Sequence, residues 1–477
     1  MTEKDTTRGQ TEDRDEADLA LPHRTEAPDI SLTGLFKLAT PLLVANLAIM
    51  GGATIDTVMA GRIGAEHLAT VALGSATSVM VLFGVVGTLQ GLSPIAGHHF
   101  GARKYTKIGF ELTQNLWIAV FLALLGGLIC AQTDFWTEFG GVSGRVAQMT
   151  RDYLLASVLG VPAAIISRSY IAVNAAVNRP RVTMYVALMM LATKIPLNII
   201  FMYGWLGVPA LGGAGAGWSL AVNAWLGLAA YYLVWRLDSY YDRMRPERFY
   251  WPDMRALWAQ LKLGVPIGLS VFFEVSSFTL MAIFISRIGT TDVAAHQIVA
   301  NITATLYQVP LSLAIAVSIL VSQCLGAGFP DKAREITLRT FKTATCLAVM
   351  GSVLLYVAGD PLVALYTKDA AVHALAVSLL IFGIIYHVTD ALQTVGSFSL
   401  RGYRITFVPM LIYGILLWAV GLGGGYWAGF HAQQFGGPYG AAGFWAATAL
   451  GLVLAGLSLS SMALWVSAKR VHTPKAF

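Results

Sequence analysis

Charge is scarce in this chain. Asp, Glu, Lys and Arg make up 12% of its 477 residues, while 56% are hydrophobic; a soluble domain usually carries about 25% charged residues. Lipid rather than water is the solvent that such a composition fits. Cysteine is nearly absent. Cys130, Cys324 and Cys346 fall in or beside apolar stretches, form no disulfide framework or metal spacing, and read as small buried hydrophobes. Nucleotide-binding motifs are missing as well: the run Gly212–Gly217 has no Lys-Ser/Thr after it and reads as a site of close helix contact. ATP is therefore excluded as the energy source, which leaves ion gradients. No nucleophile–base pair and no metal ligands recur at helical spacing, so the chain is not read as an enzyme, and no cofactor is implied.

What is present is a series of apolar stretches, each long enough to cross about 30 Å of hydrocarbon. Twelve are expected, at 34–60, 69–97, 108–132, 150–172, 182–204, 213–236, 261–286, 293–321, 338–358, 371–398, 405–429 and 440–467. They are too long for barrel strands of about 10 residues, so an all-α integral membrane protein is the fold class. Residues 1–33 are polar, lack the charged-then-apolar order of a signal peptide, and read as a disordered tail. Basic residues crowd the even-numbered connections (Arg103, Lys104, Lys107; Arg168, Arg179, Arg181; Arg243, Arg245, Arg248; Lys332, Arg334, Arg339; Arg401, Arg404). The odd ones hold only Arg62, Arg145, Arg151, Arg287 and Lys368. Positive loops stay inside, which places both termini in the cytoplasm. The net charge of +6 belongs to these short loops and does not point to nucleic acid.

The chain also repeats itself. A shift of 225 residues matches Lys37-Leu38 with Lys262-Leu263, Pro41 with Pro266, Arg62-Ile63-Gly64 with Arg287-Ile288-Gly289, and Gly101-Ala102 with Gly326-Ala327. Six spans repeated once give two pseudo-symmetric six-helix bundles with a binding site between them. The expected division is a tail at 1–33, an N-lobe at 34–236, a cytoplasmic linker at 237–260, a C-lobe at 261–467 and a tail at 468–477.

Three carboxylates interrupt the spans: Asp56, Glu274 and Asp390. Each costs at least about 2.5–3.5 kcal/mol near the bilayer centre, so each needs a partner or a cargo. Glu274 lies 12 residues beyond Lys262, and Asp390 lies 11 residues before Arg401 on a span running the other way. Both are thus about 17–18 Å from the same surface. Ser270 and Ser277 flank the first; Tyr386, His387, Gln393 and Thr394 flank the second. Two such acids cannot both stay charged without a cation, so they share a proton or hold an ion; the plainer alternative is a hydrogen-bonded pair that pins two helices. Asp56 lies higher, nearer the outer surface, where a solvated helix-end aspartate is the competing reading, and Asn198 matches its depth. Lys194, one turn earlier, either reaches Asp56 with its flexible stem, directly or through water, which would make a metal ion there redundant, or faces the central aqueous cavity without a fixed partner. Phe272, Phe273 and Phe278 could supply ring faces to a flat cation. His296 and Gln297 are read as lining the cavity or capping the eighth span, and His98-His99 as surface.

Together these stretches resemble the multidrug and toxic compound extrusion (MATE) family, NorM branch, over about 34–467. The specific matches are Asp56-Thr-Val-Met-Ala-Gly-Arg-Ile-Gly64, Ile195-Pro-Leu-Asn198 with Tyr203-Gly204, the 262–298 block ending Ala295-His-Gln297, and Leu400-Arg-Gly-Tyr403. The resemblance implies two six-helix lobes in a V and export of organic cations against inward Na⁺ or H⁺. It implies that Glu274, Asp390, Tyr386 and Asp56 carry the coupling ion or proton, with Na⁺ at Glu274, Asp390 and Tyr386, and that Asn198 is a polar N-lobe position. Lys194 departs from the pattern, where asparagine is common. A monomer in the bacterial inner membrane, surrounded by lipid, is expected. The rival reading is a flippase for lipid-linked precursors, which would need several cations in the cavity.

Overall fold

The computed structural model describes residues 27–472 except 142, 247 and 249. The expected tail at 1–33 falls largely outside the described residues, as do 473–477. Within 27–33, Ile30 is buried, its carbonyl accepts a bond of 3.0 Å from Arg339 Nη1, and Ser31 Oγ caps the first helix through the Gly34 amide.

No strand occurs among the described residues, and the helices follow one another as α1 (Leu32–Ile63), α2 (Ala65–Leu89), α3 (Leu92–Gly101), α4 (Tyr105–Cys130), α5 (Thr133–Phe139), α6 (Gly144–Val158), α7 (Val161–Ala176), α8 (Pro180–Asn198), α9 (Gly215–Leu237), α10 (Met254–Ser286), α11 (Thr290–Gly326), α12 (Pro330–Ala364), α13 (Ala370–Gly402), α14 (Phe407–Tyr413), α15 (Gly424–Phe430) and α16 (Gly440–His472). Among the described residues ten helical segments are long and apolar enough to span, and α6 with α7, bent by 47°, makes an eleventh. The remaining expected span is shared by α2 and α3, which break at Gln90-Gly91.

Both lobes interrupt their fifth span in the same way. A π-helical stretch, Ile199–Gly204, follows α8, and another, Gly414–Gly423, joins α14 to α15. In α8 the cause is visible: Pro196 lies inside the helix, withholds an N–H and crowds the preceding turn. Linker and helix boundaries differ from expectation. α10 begins at Met254, seven residues early, because Asp253 accepts from the Arg255 and Ala256 amides as an N-cap. The preceding segment lies on the N-lobe, with Gln114 and Trp117 donating to the carbonyls of Trp251 and Tyr250 at 3.0 and 3.2 Å.

The lobes meet through small residues at the end that carries the basic loops. A Cβ on Gly87 would lie 2.5 Å from the Gly268 Cα, and one on Gly91 would lie 2.8 Å from the Gln260 carbonyl. Gly101 stands against Gln323, and Gly326 against His98. Residues 98 and 101 precede 323 and 326 by the repeat spacing, so this contact lies on the duplication's own pseudo-two-fold. Amide bonds close the seam: Gln323 Nε2 donates to the Ala176 carbonyl at 2.8 Å, and Asn115 Nδ2 to Gln260 Oε1 at 2.9 Å.

Several polar residues are not where sequence reading put them. His98 and His99 are half-buried at this seam, because the lobe contact covers a helix end that otherwise looks like surface. Cys130 and Cys324 are buried, but Cys346 is exposed on the outer face of α12. Gly87→Val should push α2 off α10 and lower stability by about 1–3 kcal/mol. Gly52→Ala, where an added Cβ meets nothing within 4 Å, should be neutral or stabilising. Thermal unfolding in detergent distinguishes the two.

Candidate functional site: two carboxylate clusters

The first cluster is built by α1 and α8. Asp56 is buried with 8% of its surface exposed, Lys194 with 3% and Asn198 with 0%. Lys194 and Asn198 are one helical turn apart and so share a face. Lys194 Nζ lies 3.0 Å from Asp56 Oδ2, and Asn198 Nδ2 donates to Asp56 Oδ1 at 2.7 Å. Both carboxylate oxygens are thereby engaged. Tyr203, in the π-helical stretch, donates to the Met59 carbonyl at 3.0 Å and ties α8's continuation to α1 just beyond the acid. Asp56 is no solvated helix end, because α1 runs on for seven residues past it.

The second cluster is built by α10, α11, α13 and α14. Gln393 organises it: its Nε2 donates to Asp390 Oδ1 at 2.8 Å and to Thr394 Oγ1 at 2.9 Å, while its Oε1 accepts from the Tyr413 hydroxyl. Asp390, Gln393, Thr394 and Tyr413 are all buried. Glu274 is half-buried; Tyr307 and Gln393 are its polar partners, and it lies in the field of the Arg401 guanidinium. The Glu274 and Asp390 charges act on one another, and Tyr386 sits within reach of both. Ser270 and Ser277 do not serve the cluster. Their hydroxyls return to the backbone carbonyls of Pro266 and Glu274, the usual local alternative for serine in a helix.

An aromatic wall runs beside these acids. Phe278 packs edge-on to Tyr386 and Trp445 at 5.7 and 5.9 Å between centroids, and His296 fills the same box at 6.1 Å from Phe278. Gln297, next in the chain, points out of that box and is exposed. Phe272 and Phe273 stand on the other side of Glu274 with Trp418, at 6.3 and 5.8 Å. Among the described residues no three His, Cys, Asp or Glu side chains gather to hold a metal ion. The donors around Glu274 and Asp390 are carboxylates, phenols and amides, the hard oxygen set that suits an alkali cation.

Three members of the second cluster escaped sequence reading. Tyr307 and Tyr413 lie inside spans, where a buried phenol needs a partner, and that position was the available signal. Arg401 was counted among loop cations. It is instead 6% exposed, because α13 continues to Gly402 and the guanidinium folds back over the Phe398 ring at 3.8 Å. Arg404 and Arg168, counted the same way, are half-buried.

A two-lobed membrane bundle with acid clusters buried in each lobe defines a solute-carrying membrane protein. The chain belongs to the MatE family, whose model matches residues 41–200 and again 266–427, two blocks that begin one repeat apart. It is 42% identical over 438 residues to "Probable multidrug resistance protein NorM" of Aromatoleum aromaticum, spanning 90% of this chain and 94% of that protein. It is 33% identical over 437 residues to "Multidrug resistance protein NorM" of Vibrio cholerae serotype O1, spanning 91% and 95%. In fold it matches a solved outward-facing multidrug resistance MATE family transporter of the MOP superfamily with TM-score 0.82 at 16% identity, over 91% of this chain and 95% of that one. A eukaryotic MATE transporter superposes with TM-score 0.81 at 18% identity, over 92% and 98%. The chain is a multi-pass membrane protein.

Removing one member of the Asp56–Lys194 pair strands the other. Lys194→Met should cost about 3–5 kcal/mol, whereas Asp56→Asn with Lys194→Met should recover most of that loss. Thermal unfolding of the two variants in detergent checks the expectation.

Proposed function

We propose that this protein is a cation-coupled multidrug antiporter of the bacterial inner membrane, working as a monomer in lipid. It would export organic, mostly cationic compounds against inward Na⁺ or H⁺ without ATP or cofactor. The observation that carries the reading is the second cluster: Asp390 is fixed by Gln393, while Glu274 is half-buried between Arg401 and the Phe272–Phe273–Trp418 wall. Asp390 and Tyr386 supply a preset rim, and Glu274 is the acid that a small cation and a flat organic cation can each reach. Occupancy by one weakens the hold on the other, and competition at a shared site is all that exchange requires.

In this reading the basic end is cytoplasmic and both termini lie there. Residues 34–236 and 261–467 act as the two moving lobes, and 237–260 links them. The glycine seam between α2 and α10 and between α3 and α11 closes the lobes on one another at the cytoplasmic side. Lys194 argues against the flippase reading: its ammonium is committed to Asp56 and is not free to hold a pyrophosphate. In everted vesicles, Glu274→Gln and Asp390→Asn should each reduce gradient-driven ethidium export to the leak of transporter-free vesicles. Full activity in both would refute the assignment.

A further inference from the structure

The two clusters differ in net charge. Asp56 has one cation beside it, Lys194 at 3.0 Å. Wherever the proton between them resides, the pair sums to zero. The other groups around it, Asn198, Tyr153 and Tyr203, are amide and phenols and add nothing. The second cluster holds two acids, Glu274 and Asp390, and one permanent cation, Arg401, which is buried and whose other contacts are the neutral Phe398 ring and Gln90 Oε1 at 3.3 Å. Tyr307, Tyr386 and Tyr413 face it as neutral phenols. His296 is enclosed by Phe278 and Trp445, and His387 turns toward Gly351 on α12. One negative charge is left over.

We infer that Lys194 is a built-in counter-cation that fills the N-lobe cluster permanently, so that the C-lobe cluster alone carries exchange: one Na⁺ or one proton for each monovalent organic cation, with no net charge moved. The inference rests on the coupling role proposed for Glu274 and Asp390. A free ion cannot displace Lys194 cheaply, because the ammonium is tethered one turn from Asn198 and is itself 3% exposed; expelling it would bury an unpaired charge. Among the described residues the Lys194 ammonium has no hydrogen-bond acceptor besides its ion-pair partner, so no second anion relieves it.

The test uses the full chain in proteoliposomes with ethidium as the monovalent probe, a fixed Na⁺ or pH gradient, and a potential clamped by potassium and valinomycin. For the unmodified protein, the steady accumulation ratio should rise with slope one against the cation gradient on logarithmic axes. It should not respond to potential of either sign. Lys194→Asn opens Asp56 Oδ2 and Asn198 Oδ1 to a second ion. Its slope should rise toward two, and its ratio should change about 50-fold per about 100 mV, the value for one net charge moved. Asp56→Asn with Lys194→Asn, which removes both charges, should return to slope one and keeps the test intact where the single variant does not fold. A potential-driven unmodified protein, or a transporting Lys194→Asn variant indistinguishable from it, overturns the inference. Gradient-driven export persisting in Glu274→Gln would instead overturn the coupling assignment beneath it.

Discussion

A carboxylate taken into a bilayer has to be neutralised, and the manner of neutralisation decides what it can do. A tethered lysine neutralises without exchanging. A network of neutral phenols and amides orients an acid but leaves its charge to be met by something mobile. This chain contains one case of each, in two lobes that share a common scaffold. Asp56 is held by Lys194 and Asn198 from a single helix face. Asp390 is held by a glutamine that is itself held by a tyrosine. The insertion cost of about 2.5–3.5 kcal/mol per acid is met in the first lobe by an ion pair to Lys194, and in the second only in part, by Arg401.

Duplication explains why the scaffold tolerates this divergence. The contacts that fix the backbone recur at the repeat spacing: Gly101 on Gln323 and Gly326 on His98, and a π-helical break in each fifth span. Even a substituted residue keeps its task. His67 Nδ1 accepts the Gly213 amide at 2.9 Å at the start of one sixth span, and Asp292 Oδ1 accepts the Ala441 amide at 3.3 Å at the start of the other; 67 and 292 are one repeat apart. Helix termini leave unpaired amides that must be met, so the position is retained while the side chain changes. The acids follow no such rule. Glu274 aligns with Ile49 and Asp56 with Met281, and Met281 is a fully buried apolar residue in the C-lobe core.

Much of this was legible in the chain because lipid makes depth countable. Residue offsets from basic loops, at about 1.5 Å each, put Glu274 and Asp390 at one level and brought Lys194 to Asp56. Offsets measure height and nothing else. They do not say which way a long side chain bends, so Arg401, Arg404 and Arg168 looked like loop cations although their stems carry them inward. Nor do they show which helix ends the partner lobe covers, and His98 and His99 were read as surface for that reason. Tyr307 and Tyr413 were hidden by a different ambiguity: most aromatic residues of a membrane chain face lipid or apolar neighbours, and only packing separates such a ring from a buried donor.

Arg401 connects the two scales. On one side it faces Glu274 in the acid cluster. On the other its Nη1 lies 3.3 Å from Gln90 Oε1, in the break between α2 and α3, which belongs to the opposite lobe. A guanidinium keeps its proton under all ordinary conditions, so its balance is set entirely by what surrounds it. In the proposed exchange, a cation arriving at Glu274 would withdraw part of the charge that offsets Arg401 and make the bond to Gln90 matter more; its departure would restore the pull toward Glu274. Site occupancy and lobe contact therefore share one side chain, and a change in either is a change in the free energy of the other. Lys194 has no such reach: Asp56 and Asn198 lie in its own lobe. A pair confined to one bundle can stabilise that bundle, but it has no lever on the seam.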